Sequence, residues 1–102
     1  LYFHSSAGVD LSRYKTLSLW VHGGTSGGQI ARILLTNGSS SLGEIRLDQA
    51  LGHAIQPGTW QQLVIPLSTL AVSGGTLREI YIQDQSGVDQ GTLYIDDLQL
   101  IP

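Results

Sequence analysis

Residues 92–100 read Thr92-Leu93-Tyr94-Ile95-Asp96-Asp97-Leu98-Gln99-Leu100. Apolar and polar residues alternate along most of this stretch, as they do in a β-strand with one buried face. Two adjacent acids interrupt the pattern, although aspartate is depleted in strands and is almost never buried without a partner. The stretch therefore predicts a strand whose carboxylates need compensation, either from a bound cation or from loop N–H groups.

The same alternation recurs along the chain between turns rich in glycine, proline and asparagine. Residues 16–22 show it most clearly, because Leu17, Leu19 and Val21 face one way and the residues between them face the other. No segment carries an amphipathic helical pattern of about 12 residues or more. We predict strands at residues 1–4, 16–22, 29–36, 43–48, 60–65, 77–83 and 92–100, loops at 5–10 and 49–58, and one helical turn at 67–70.

These strands predict one all-β domain over residues 1–102, an antiparallel β-sandwich of jelly-roll type with about seven strands. A chain of 102 residues is long enough for one hydrophobic core. The positions predicted to face that core are aliphatic: Leu17, Leu19, Val21, Ile33, Leu35, Ile45, Leu47, Leu63, Ile65, Ile80, Ile82, Leu93 and Ile95.

Composition limits the partners. Charged residues make up 13% of the chain, about half the usual share. The surface is therefore rich in neutral hydrogen-bonding groups, which suit a hydroxyl-rich partner. The net charge of −3 argues against nucleic acid, which needs a basic patch. No apolar run approaches the roughly 20 residues that span a bilayer, so no membrane partner is expected. The absence of cysteine excludes disulfides and thiolate metal sites.

The outward strand positions carry aromatic rings beside planar amides and guanidinium groups. A pyranose packs its C–H face on an aromatic ring, and its hydroxyls form hydrogen bonds with rigid polar groups. Trp20 and Tyr81 are the expected stacking residues, and Trp60 is a further aromatic candidate. The expected hydroxyl contacts come from His22, Arg32, Arg46, Gln62 and Gln83.

Two alternatives stand beside this hypothesis. An aromatic residue on an outer face often packs only against a loop, and for Trp60, at a strand start, a place at the edge of the core is favoured over a binding role. Moreover, a sandwich has two outer faces. Jelly-roll strand order places Trp20, Trp60, Gln62 and Tyr94 on one sheet and Arg32, Glu44, Arg46, Tyr81 and Gln83 on the other. The sequence does not decide which face binds.

The adjacent acids Asp96 and Asp97 are the candidate metal ligands. Consecutive strand residues face opposite sides, so at most one of them faces the core unless a bulge intervenes. Calcium prefers oxygen ligands, which loop carbonyls and one of Asp10, Asp84 or Asp89 could complete. In the alternative, both acids accept hydrogen bonds from loop N–H groups.

Catalytic patterns are weak. Glu44 with Asp48 or Asp84 could form the carboxylate pair of a glycoside hydrolase. However, the chain has only eight acids, and a domain of this size is not expected to hold a large cleft. The glycine-rich residues 23–28 lack the Lys-Ser/Thr ending of a phosphate-binding loop, and no Gly-x-Ser-x-Gly elbow occurs. We expect a non-catalytic domain.

Four segments together resemble a known family. They are Leu17-Ser18-Leu19-Trp20-Val21-His22-Gly23-Gly24, Gly58-Thr59-Trp60-Gln61-Gln62-Leu63-Val64-Ile65-Pro66-Leu67-Ser68, Ile82-Gln83-Asp84-Gln85-Ser86-Gly87 and Leu93-Tyr94-Ile95-Asp96-Asp97-Leu98. Their order is similar to that of the jelly-roll carbohydrate-binding modules of bacterial cellulases and other polysaccharide-degrading enzymes, and among these to carbohydrate-binding module family 81. Such modules usually run longer, with additional N-terminal strands.

The resemblance implies a secreted, extracellular bacterial module without catalysis. It would bind a β-1,4-linked glucan, such as cellulose, cello-oligosaccharides, mixed-linkage β-glucan or xyloglucan, and target an attached glycoside hydrolase to plant cell wall. It also implies a structural calcium on Asp96 or Asp97. The competing hypothesis is a structural or interaction spacer that binds no sugar.

Overall fold

The computed structural model describes residues 2–70, 75–88 and 90–102. This part of the chain contains seven strands and one short helix: β1 Tyr2–Asp10, β2 Thr16–His22, β3 Ala31–Thr36, β4 Ser41–Arg46, α1 Leu47–Leu51, β5 Trp60–Pro66, β6 Thr76–Asp84 and β7 Tyr94–Ile101. Short 3₁₀ helices cover Leu11–Arg13 and Leu67–Leu70. Among the described residues, no helix is long and apolar enough to span a membrane.

The strands form two antiparallel sheets. Four strands pair in the order β1-β6-β3-β4, and three pair in the order β5-β2-β7. The predicted β-sandwich with seven strands is therefore confirmed. The division of residues between the sheets also follows the predicted order, since β2, β5 and β7 share one sheet and β3, β4 and β6 share the other.

The core lies between the sheets and is built from the alternating aliphatic positions. Leu17, Leu19 and Val21 of β2 are fully buried, and so are Ile33 and Leu35 of β3. Burying a side chain of this size contributes about 1.5–3 kcal/mol. Because these residues come from the middle strand of one sheet and an inner strand of the other, they hold the two layers together.

Three predicted core residues are only partly buried. Ile45 lies on β4, Ile95 lies on β7, and Leu93 lies just before β7 begins at Tyr94. Both β4 and β7 are edge strands. A residue on an edge strand has neighbours on one side only, so its inward side chain keeps contact with solvent.

The predicted loop at residues 5–10 is wrong, because β1 continues to Asp10. Its pairing with β6 shifts between His4 and Val9, which marks a bulge, and Gly8 there has φ +76°. The predicted loop at 49–58 is wrong at its start, because α1 covers Leu47–Leu51 and Gly52 ends it with φ +83°. Leu47 is buried as predicted, but in a helix rather than a strand. The helical turn at 67–70 is confirmed.

Candidate functional site

Three rings lie side by side across the outer face of the three-stranded sheet. In the strand register, His22 of β2 is opposite Trp60 of β5 on one side and Tyr94 of β7 on the other. The ring centres of His22 and Trp60 are 5.3 Å apart, and those of His22 and Tyr94 are 5.8 Å apart. We call Trp60, His22 and Tyr94 the ring row.

The two larger rings of the ring row are open to solvent. Trp60 is 46% exposed and Tyr94 is 51% exposed, so Trp60 is not a core-edge residue. The imidazole of His22 is inclined by 66° to the indole and by 83° to the phenol. His22 therefore meets its neighbours edge to face, and Trp60 and Tyr94 supply the exposed aromatic surface.

A backbone hydrogen bond fixes what His22 presents. The N–H of Gly24 donates to His22 Nδ1 over 2.9 Å. Because Nδ1 accepts this bond, the neutral imidazole carries its proton on Nε2. Nε2 has no hydrogen-bond partner in the described part of the chain. His22 consequently offers one N–H donor between two exposed aromatic rings.

Close backbone contacts position the loop that follows His22. Gly24 has φ +64°, and a Cβ added there would lie 2.7 Å from the carbonyl oxygen of Thr92. The Gly58 N–H donates to the Gly24 carbonyl over 2.8 Å. The loops next to all three rings are thus joined behind the ring row.

A buried amide strengthens the same arrangement. Gln29 is 2% exposed, and its Nε2 donates to the carbonyls of Gly23, Gly91 and Thr92 over 2.8, 3.2 and 3.1 Å. These bonds link the segment after His22 to the segment before Tyr94. The result is a depression of about 530 Å³ lined by the ring row and the adjoining loops. This volume lies within the usual range for ligand pockets.

Trp20 and Gln62 lie in the next row of the same face. The register sets Trp20 opposite Gln62 and Asp96. Trp20 is only partly exposed, and the exposed Gln62 donates to Ser18 Oγ over 3.3 Å. Trp20 therefore has less free ring surface than the ring row.

The other predicted carbohydrate-binding residues lie on the four-stranded sheet, where each forms a hydrogen bond with a neighbouring side chain. Arg32 donates to Gln83 Oε1 from Nε over 3.0 Å and from Nη2 over 2.8 Å, and its Nη1 pairs with Glu44. Tyr81 donates to Glu79 Oε2 over 3.1 Å. The structure thus divides the predicted site residues between two faces and does not bring them together.

Arg46 is held in a local ion pair. Its Nε and Nη2 donate to the two carboxylate oxygens of Asp48 over 3.0 and 2.6 Å. The hydrogen bond from Arg46 lowers the pKa of Asp48, and the same bond raises the pKa of Arg46. A sugar hydroxyl would have to compete with Asp48 for Arg46, and the Arg46–Asp48 contact is bidentate and charge-assisted.

A second concavity opens beside Tyr94, at the edge between the sheets. Its volume is about 550 Å³, and Gln83, Asp84, Gln90 and Tyr94 contribute to its lining. Asp84 Oδ1 accepts hydrogen bonds from Ser86 N, Ser86 Oγ and Gln90 Nε2 over 2.7, 2.8 and 2.8 Å. The backbone bond from Ser86 is the main cause that lowers the pKa of Asp84, so this carboxylate is ionised at neutral pH. Tyr94 belongs to both concavities.

The predicted calcium ligands that the structure describes each accept hydrogen bonds from groups close to them in the chain. Asp97 has φ 54° in a bulge of β7, and its amide N donates to Asp96 Oδ1 over 2.8 Å. Asp10 instead accepts bonds from Ser12 at the end of β1, and these bonds lower its pKa. Asp89 lies outside the described residues. Within the described ranges, no group of three His, Cys, Asp or Glu side chains could hold a metal, and calcium stays a prediction.

Tyr94 is the ring-row residue missing from the predicted site. Its alternation between Leu93 and Ile95 shows that it faces outward, and the expected strand order puts it on the same sheet as Trp60. The missing information is the strand register. Alternation alone does not show that Tyr94, His22 and Trp60 share one row.

Comparison with known proteins gives one informative match. No family model matches the chain. An endoglucanase from Dictyostelium discoideum is 29% identical to it over 91 residues, which are 88% of this chain and 13% of the endoglucanase. The chain therefore spans a small part of the length of that relative. It is distantly similar to a segment of that endoglucanase.

Proposed function

We propose that this chain is a non-catalytic carbohydrate-binding module for β-1,4-linked glucan. The observation that carries the proposal is the ring row, with two exposed rings and a hydrogen-bond donor between them. Aromatic surface packs against the C–H face of a sugar, and His22 Nε2–H can donate to a hydroxyl. A neutral, hydroxyl-rich ligand also suits a chain in which only 13% of residues are charged.

The outer face of the three-stranded sheet is better suited to bind a sugar than the outer face of the four-stranded sheet. On the four-stranded sheet, Arg32 and Arg46 already donate to Gln83, Glu44 and Asp48. Breaking those bonds would offset the gain from new sugar contacts. The ring row has no such competition, because its two large rings are exposed and Nε2 of His22 has no partner in the described residues.

The endoglucanase similarity supports a proposed association with a polysaccharide-degrading enzyme. In this proposal the module is secreted and holds an attached glycoside hydrolase on plant cell-wall glucan. The relative is named an endoglucanase, and this chain corresponds to 13% of its length. That share fits an accessory segment better than a catalytic unit. A structural calcium at Asp96 or Asp97 remains part of the proposal, and chelation tests it.

Substitution of Trp60 tests the proposed function. The wild-type domain should be retarded in native gels that contain β-glucan, and Trp60→Ala should bind about tenfold more weakly, because one lost stacking contact of about 1.4 kcal/mol changes affinity by that factor. Gels with xyloglucan, xylan or mannan compare the other cell-wall polymers. Parallel gels with EDTA show whether a divalent cation supports the fold.

Val64→Ala is the matched control. Val64 lies on the same strand and outer face as Trp60 and is 57% exposed, but it is outside the ring row. Its replacement should leave retardation unchanged. Equal mobility of the wild-type domain in every gel would contradict glucan binding and favour a spacer domain. Retardation of Trp60→Ala equal to that of the wild-type domain would place the binding site away from the ring row.

A further inference from the structure

We propose that the glucan chain crosses the strands of the three-stranded sheet, from Trp60 over His22 to Tyr94. Beyond Tyr94 it continues into the second concavity described above, which we call the cleft. This inference rests on the proposed function and specifies in which direction the ligand lies on the same face and which residues it contacts. It assigns Tyr94 as a residue shared by two subsites. It assigns Asp84 and the Nε2 of Gln83, whose Oε1 is the atom that Arg32 binds, as contacts for the distal part of the ligand.

The spacing of the ring row matches the repeat of the ligand. Trp60 and Tyr94 lie on the strands that flank β2, so two strand spacings separate their backbones, roughly 10 Å. In an extended β-1,4-linked glucan, each sugar is turned over relative to the one before it, and two sugars span about this distance. Every second sugar therefore presents the same face. Trp60 and Tyr94 contact sugars two positions apart, and His22 Nε2–H donates to the sugar between them.

A path along a strand has less support. From Trp60, the outward residues of β5 are Gln62 and Val64, and the next outward residue of β2 below His22 is the partly exposed Trp20. Val64 has no aromatic surface, and Gln62 already donates to Ser18. Among the described residues of this face, only the direction across the strands passes over two exposed rings one after the other.

Tyr94 connects the ring row to the cleft. It lines both the depression over the three-stranded sheet and the cleft of about 550 Å³ beside it. In that cleft, the three donors to Asp84 all bind Oδ1, and Oδ2 has no partner among the described residues. A carboxylate oxygen next to an exposed ring is a strong acceptor for a sugar hydroxyl. A ligand long enough to pass Tyr94 gains this contact.

The test is calorimetric titration with cello-oligosaccharides of increasing length. We expect affinity to rise up to about four sugars, the length that covers three strands and enters the cleft. Tyr94→Ala should weaken every ligand from cellotriose upward by about tenfold. Asp84→Asn should weaken cellohexaose several-fold and leave cellotriose unchanged, since it keeps an oxygen for Ser86 and Gln90 but removes the free carboxylate oxygen.

Two further variants make the test decisive. Gln83→Ala should show the same length-selective loss if Asp84→Asn does not fold, and Val64→Ala should leave all affinities unchanged. Cellobiose binding as tightly as cellohexaose, or equal effects of Asp84→Asn and Gln83→Ala on short and long ligands, would overturn the crossing path. Failure of the wild-type domain to bind any β-glucan would instead overturn the proposed function itself.

Discussion

At the residue scale, backbone geometry decides what the site presents. His22 donates from Nε2 only because the Gly24 N–H occupies Nδ1, and Gly24 reaches that position with φ +64° and close to Thr92 O. The sequence shows Gly23-Gly24 after a strand and so predicts a turn. The sequence does not show that this turn orients the imidazole of His22, because the orientation depends on the packing of Gly24 against Thr92, which is distant in the chain.

Substitution of two glycines separates backbone strain from close contact. Gly24 and Gly28 both have positive φ, so alanine at either position costs about 1–2 kcal/mol. A Cβ added to Gly28 would meet no atom within 4 Å, whereas a Cβ on Gly24 would meet Thr92 O at 2.7 Å. Gly24→Ala should therefore lower the free energy of unfolding by more than Gly28→Ala, as measured by urea denaturation. Equal losses would contradict the close packing of this loop.

At the element scale, the position of β7 at a sheet edge explains Asp96 and Asp97, the two adjacent acids that are unusual in a strand. Asp97 forms a bulge in which it and Leu98 lie opposite Leu19, and this returns Leu98 to the core side. Charges and bulges on an edge strand both discourage pairing with another sheet. The alternation of apolar and polar residues predicted the strand. The bulge is a shift in register between β7 and β2, and the sequence of β7 alone does not show how it pairs with β2.

Removal of the two charges tests this protective role. The double substitution Asp96→Asn and Asp97→Asn keeps the size of both side chains, and asparagine tolerates the left-handed conformation at position 97. It should increase self-association in sedimentation experiments at rising concentration. The control, Asp48→Asn with Glu79→Gln, removes as much charge from α1 and the inner strand β6. Identical behaviour of the two double variants would argue against edge protection.

At the scale of the whole molecule, the alternation in the sequence predicted the sandwich and named His22 and Trp60 as candidate site residues, but it did not predict the ring row, which also needs Tyr94. The alternation around Leu19 and Ile33 predicts that both residues face a core, and both are fully buried between the sheets. The short helix α1 escaped prediction because five residues are too few to show a helical period. The ring row depends on contacts across three strands that are distant in sequence, so the residue pattern within any one strand does not predict it.

One measurement tests the central claim most directly, namely that the outer face of the three-stranded sheet binds glucan. Amide and aromatic NMR shifts of the labelled domain should be followed during titration with cellohexaose. We predict shifts concentrated at His22, Trp60 and Tyr94, while Arg46 and Tyr81 on the opposite sheet stay unchanged. Shifts confined to the four-stranded sheet, or no shifts at saturating ligand, would contradict the account.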